Sequence, residues 1–127
     1  LLLSVLCCQI LTSSVVLKTP PTATIAGELL EQCSILRRIS SQCGDEGILN
    51  CEAAPFTNPS TVFIQLFDVN GNKISEVRGT AQQANAALTC DHLTGQYTAN
   101  GIVVARASCA QLTSTGSEAP DINVVGR

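Results

Sequence analysis

With 127 residues the chain has room for one domain and little more. Its 7 Lys+Arg against 10 Asp+Glu give a net charge of -3, which argues against nucleic acid as a partner because phosphates want a basic face. Only 13% of residues are charged. Thr, Ser, Asn, Gln and Gly fill the polar positions instead, a balance commoner in extracellular modules than in cytosolic enzymes.

Residues 1–17 (LLLSVLCCQILTSSVVL) are apolar and uncharged, and Lys18 and the Pro20-Pro21 pair follow. The sequence contains no Met. The stretch therefore reads as an N-terminally truncated signal peptide over 1–14, with cleavage after Ser14, where Thr12 and Ser14 supply two small residues. A membrane span needs roughly 20 apolar residues, and Gln9, Thr12, Ser13 and Ser14 interrupt this one. A retained anchor and a buried core helix are the competing readings. On the signal-peptide reading Cys7 and Cys8 leave with the leader, and no membrane span remains.

Residues 15–26, with their Pro/Thr-rich run, are expected to be a linker. Gly27 to Ser41 is the one helical candidate: Leu29, Cys33 and Leu36 share a face at helical spacing, with Glu28, Glu31 and Arg38 off it. Ile35, Ile39 and the Ser40-Ser41 pair also permit an extended reading.

From Gly47 onward the pattern is strands and turns. Leu49 and Cys51 share a phase in a short strand, and Ala53 to Pro59, with two prolines, is a rigid exposed loop. Thr61 to Asp68 alternates Val62, Ile64 and Leu66 against Phe63, Gln65 and Phe67. Both faces are apolar, which predicts a central strand or one covered on both sides. Asn70-Gly71 predicts a type I′ hairpin turn into a polar edge strand, Lys73 to Arg78. Ala84, Ala86, Leu88 and Cys90 alternate in the next strand. A short strand surrounds Tyr97, bounded by Gly95 and Asn100-Gly101, and Val103, Ala105, Ala107 and Cys109 alternate in the last. Residues 113–127 carry no strong period and read as a flexible tail. The fold class is all-β: a small antiparallel sandwich, immunoglobulin-like in character, with one short N-terminal helix as an option over 27–41 and a cysteine-rich β domain spanning 27–112.

Five cysteines follow the leader: Cys33, Cys43, Cys51, Cys90 and Cys109. In an oxidising compartment they should pair, leaving one over. Three Phe, one Tyr and no Trp make a thin core, which cross-links worth about 2–4 kcal/mol each would support. Several connectivities are open. Nested closure over long loops selects Cys51–Cys90 and Cys43–Cys109.

Cys43 and Cys51, then Ala87-Leu88-Thr89-Cys90 followed by Thr94-Gly95-Gln96-Tyr97-Thr98, then Ala107-Ser108-Cys109, resemble the nematode six-cysteine domain, a secreted cysteine-rich domain of unknown function. The resemblance covers about Cys33 to Gln111 and implies secretion, a β-rich fold and disulfides, with no activity attached. That family usually carries two cysteines close together near its N-terminus. Only Cys33 stands in that region once the leader is removed, so the resemblance makes Cys33 the leftover thiol, and the odd cysteine count makes a disulfide-linked dimer through it an expectation.

Catalytic and metal chemistry find little footing. In Asp68-Val69-Asn70-Gly71-Asn72 the Gly is fourth, where a calcium loop wants it sixth, and the twelfth position is Gly79 instead of Glu. His92, the single histidine, adjoins Asp91, yet no Gly-x-Ser-x-Gly elbow accompanies it. After the leader there is no Cys-x-x-Cys knuckle for zinc. Arg37-Arg38 fits a solvated face better than a dibasic processing site, and Pro59 blocks the glycosylation sequon at Asn58. The expectation is a secreted non-enzymatic module, without cofactor or metal, that serves a structural role or binds an extracellular protein or glycan. The alternative is a secreted inhibitor or effector that blocks an enzyme or receptor.

Overall fold

A computed structural model describes residues 6–22 and 29–113; apart from residue 113, the expected C-terminal tail lies outside them. Among the described residues every regular element is a strand. They are β1 (Leu17–Lys18), β2 (Leu29–Glu31), β3 (Ile35–Ser40), β4 (Glu46–Glu52), β5 (Thr61–Phe67), β6 (Lys73–Arg78), β7 (Gln83–Asp91), β8 (Gln96–Ala99), β9 (Ile102–Val103) and β10 (Arg106–Thr113). One sheet runs β1-β10-β5-β6, with β2 also on β10; the other runs β3-β4-β7-β8-β9. All pairings are antiparallel except β1 with β10, which is parallel. The result is the all-β, disulfide-bearing sandwich the alternation predicts.

The core lies between the sheets. Leu49 and Cys51 of β4 and Ala84, Ala86, Leu88 and Cys90 of β7 face Val62, Ile64 and Leu66 of β5 and Ala107 and Cys109 of β10. Strand β7 alternates buried and exposed along its length, as a sheet with one wet face should. Strand β5 is buried on both faces from Val62 to Phe67, matching its doubly apolar pattern. On its outer face Phe63 clusters with Ala110 and Leu112. There the Gln65 side-chain carbonyl accepts bonds from the Thr22 N–H at 2.9 Å, the Thr22 hydroxyl at 3.2 Å and the Ser108 hydroxyl at 3.3 Å. Its amide donates to Glu76 at 2.8 Å. That bond, followed by the Arg78 contact, holds the Glu76 carboxyl below its ordinary pKa against the opposing effect of burial.

Four expectations need correction. The helical option over 27–41, of which 27 and 28 lie outside the described residues, gives way to β2 and β3. Ile35, Arg37 and Ile39 point outward and Leu36, Arg38 and Ser40 inward along six antiparallel rungs with β4, because β-branched side chains fit a pleated surface. The type I′ turn falls at Asn100-Gly101, where φ is 52° and 77° between β8 and β9, and not at Asn70-Gly71. At the latter, Gly71 alone has positive φ, and the Asp68 carboxylate accepts from the N–H groups of Asn70 and Asn72, both at 2.9 Å. These bonds close a longer loop, and the β5–β6 register shifts at Leu66/Phe67. The expected final strand is broken at 104–105, where the Val104 N–H bonds Tyr97 of one sheet and the Ala105 N–H bonds Phe67 of the other. The chain changes sheet there.

The fourth correction concerns the leader and linker where they are described, residues 6–22; residues 1–5 and 23–26 lie outside the described residues. Cys8, Leu11 and Val16 are buried in the main core, and Leu17–Lys18 are strand β1. Residues 6–18 therefore pack as part of the domain. Gly47 makes room for them: a Cβ there would lie 2.5 Å from Leu11 Cδ1 and 3.1 Å from Tyr97 Cε1.

Gly79, between β6 and β7, is tighter still. A Cβ there would collide with the Gln83 carbonyl and come within 2.7 Å of Ala84 Cα, both backbone atoms. Gly79→Ala should lower stability by about 1–3 kcal/mol in chemical denaturation, since the backbone must shift. Gly44→Ala, whose nearest neighbours stand at 3.4 Å, should be close to neutral.

Candidate functional site

Three disulfides organise the molecule: Cys7–Cys43, Cys8–Cys90 and Cys51–Cys109. All four cysteines expected in bridges are in them, but the expected pairs Cys51–Cys90 and Cys43–Cys109 are not formed. Cys7 and Cys8, assigned from sequence to a removed leader, supply the missing partners. Strand phase made Cys51, Cys90 and Cys109 all inward, and phase alone cannot choose which inward residues face one another across the core. Cys33 is exposed in the connection between β2 and β3.

The inter-sheet bridge Cys51–Cys109, with a Cα–Cα distance of 5.5 Å, sets up the most elaborate loop of the described chain. Two residues beyond Cys109 on the same phase lies Gln111, fully buried. Three residues beyond Cys51 lies Ala54, whose N–H donates to the Gln111 side-chain carbonyl at 2.9 Å. The same oxygen accepts from the buried Ser34 hydroxyl at 3.1 Å. The Gln111 amide donates to the Thr57 hydroxyl at 2.9 Å, and that hydroxyl donates to the Ala54 carbonyl at 2.6 Å. The loop ends are fixed as well: the Ala53 N–H bonds Gln82 O at 2.9 Å, and the Ser60 N–H bonds Leu112 O at 2.6 Å. Pro59 is buried beneath.

At the tip of this frame stands Phe56, 100% exposed with φ at 64°. A non-glycine residue in the left-handed region costs about 1–3 kcal/mol and persists only where the surroundings over-determine it. The Gln111-centred bonds are those surroundings. A Phe fully in water is also unusual in a chain with only three. Beside the loop lies a hollow of about 490 Å³, lined by Glu52, Thr57, Asn58, Pro59, Gln82 and Gln83. Just outside it the Asn50 amide bonds Gln83 at 3.1 Å and Asn85 at 2.8 Å. Glu52 is paired with Arg37 at 3.0 Å. The sequence marked 53–59 as a rigid exposed loop. It did not mark Phe56 as its tip or Gln111 as its anchor, since a glutamine in a strand carries no signal that it is buried.

His92 belongs to a different arrangement. Its Nε2 lies 2.9 Å from Asp45 Oδ1 and its Nδ1 2.9 Å from the Leu6 carbonyl. Leu6 N–H returns a bond to His92 O at 2.7 Å. Both ring nitrogens face acceptors, an arrangement that favours the imidazolium form, in which both donate. The ring is thus a brace between the N-terminal segment and the β3–β4 turn, beside the Cys8–Cys90 bridge, where Cys90 Sγ is 3.7 Å away. Asp68 is likewise engaged in its turn, and the bond from the Asn72 N–H is the largest cause of its lowered pKa. Among the described residues no group of three or more His, Cys, Asp or Glu converges on a point that could hold a metal. No helix there is long and apolar enough to cross a membrane.

No family model, curated protein or solved structure matches the chain.

Two outcomes follow from this geometry. Replacing Gln111 by Leu should cost about 1–3 kcal/mol, because Ala54 N–H and the Ser34 hydroxyl lose a buried acceptor; amide exchange should rise across 53–60 before it rises in β5 or β7. The His92 pKa is raised first by the Leu6 carbonyl, then by Asp45 and the nearby charge of Asp91, against desolvation. A raised folded value means the brace is at full strength below the unfolded pKa of about 6.5 and is lost as pH rises through the folded pKa. Melting temperature should therefore fall from mildly acid to mildly alkaline pH in the wild type, and His92→Gln should flatten that slope.

Proposed function

We propose that the protein is a secreted, non-enzymatic module that recognises an extracellular partner through the 53–60 loop. The single observation that carries this is Phe56: a fully exposed aromatic in a strained conformation, on a loop anchored by a buried glutamine. Proteins hold exposed apolar groups in fixed, costly poses mainly where something binds them. Preorganisation removes the ordering cost that a floppy loop would incur on binding.

Secretion is supported by three disulfides, since such bridges persist in oxidising compartments. Inhibition of a protease by substrate-like insertion is the weaker reading. Substrates enter extended, with negative φ, whereas Phe56 sits at 64°.

The test is retention of labelled protein on extracellular matrix or on the surface of intact cells. Phe56→Ala should reduce retention at least about tenfold, in line with loss of a hot-spot aromatic, while leaving the melting temperature unchanged or raised. Equal retention of the two proteins would remove the loop from the function.

A further inference from the structure

We infer that the hollow between the 53–60 loop and residues 81–83 binds a neutral oligosaccharide, with Phe56 as the stacking platform at its margin. This rests on the loop being the recognition site and names its ligand class.

The chemistry of the walls is the first argument. Thr57, Asn58, Gln82 and Gln83 bring hydroxyl and amide groups, and Glu52 brings a carboxylate. Amides and carboxylates present donor and acceptor atoms in a plane, which suits paired hydroxyls on adjacent ring carbons. A volume of about 490 Å³ falls within the roughly 300–1,000 Å³ of small-ligand sites.

Charge is the second argument. No Lys or Arg lines the hollow, and the one ion at its edge, Glu52, is paired with Arg37. The whole molecule carries -3. Sulfated or sialylated chains would meet no cation in the lining, only Arg37 already paired with Glu52, and a repelling field outside it.

The third argument is the setting of the aromatic. The core of a protein–protein interface is depleted of charge and gathers several aromatic, Met or Arg side chains. Here no aromatic or large aliphatic side chain lines the hollow, and Phe56 stands next to it as the residue before Thr57. A lone ring beside hydrogen-bonding groups fits a ligand with one C–H face and many hydroxyls. The negative π-face attracts the polarised C–H groups, while the amides take the hydroxyls. The site is also fixed before binding: Gln83 is held by Asn50, Gln82 O by Ala53, and Thr57 by Gln111.

The experiment is an amide-resolved NMR titration of the disulfide-intact protein. The probes are a panel of neutral oligosaccharides built from glucose, galactose, mannose and N-acetylglucosamine, with a sulfated and a sialylated chain beside them. The expected result is saturable shifts confined to residues 50–60 and 81–85 for at least one neutral member. Phe56→Ala and Gln82→Ala should each weaken that binding at least about tenfold, and Leu93→Ala, an exposed apolar residue elsewhere, should leave it unchanged. No saturable shift with any neutral member, response to the charged chains alone, or shifts outside the hollow would each overturn the inference. The matrix-retention assay separates the two readings. Retention lost in Phe56→Ala without any saccharide response would keep the loop and reject the glycan; retention unaffected by Phe56→Ala would reject both.

Discussion

The bond between Cys51 and Cys109 is the constraint from which the candidate site follows. It ties β4 of one sheet to β10 of the other through the middle of the core. Its two half-cystines lead, within a few residues, to the start of the 53–60 loop and to Gln111. A covalent link of this length leaves little freedom for what comes next in phase, so the Gln111 amide sits under the loop and meets the Ala54 N–H and Thr57 hydroxyl. The loop thus combines its own turn, closed by the Thr57 hydroxyl on the Ala54 carbonyl, with tertiary bonds from Gln111, and the positive φ of Phe56 lies between the two anchored residues, Ala54 and Thr57. Local strain at the tip is offset by polar groups satisfied at the base.

The other two disulfides do different work. Cys7 and Cys8 are neighbours, yet they reach two separate places, the β3–β4 turn at Cys43 and β7 at Cys90. Adjacent residues in an extended chain point to opposite sides, so one segment can staple two elements at once. Leu11 and Val16 then bury their side chains, and Arg38 and Lys18 bond the carbonyls of Val16 and Ser34 at 2.9 Å each. His92 adds a hydrogen-bonded brace at the same end. With so few aromatics available, cross-links and this strapped segment supply order that a larger core would otherwise give.

A buried polar residue recurs at each important junction. Gln65 ties the segment around Thr22 to the outer face of β5, and Gln111 ties the loop to β10. In both cases one glutamine side chain satisfies several donors and acceptors at once. That is the condition under which a buried amide specifies structure instead of destabilising it.

Much of the fold was legible in the sequence. The alternation in Thr61–Phe67 and Gln83–Asp91 placed the central strands, and the doubled apolar pattern of Phe63 and Phe67 announced that β5 is covered on both sides. The exposed loop at 53–59 was visible from its prolines. Periodicity of two reports only which side of a strand a residue faces. It therefore identified Cys51, Cys90 and Cys109 as inward but could not pair them, and it could not see that residues 104–105 carry the chain from one sheet to the other. The apolar run at 1–17 has the composition of a leader and also of a strap that is buried at Cys8, Leu11 and Val16; composition does not distinguish them, because both need apolar side chains. By itself the sequence determined the central strands, their faces and the presence of a rigid loop, since these depend on contacts close along the chain. Only the tertiary structure decided the disulfide partners, the Gln111 anchor and the exposure of Phe56, since each is a meeting of residues far apart in sequence whose proximity depends on how the two sheets are stacked.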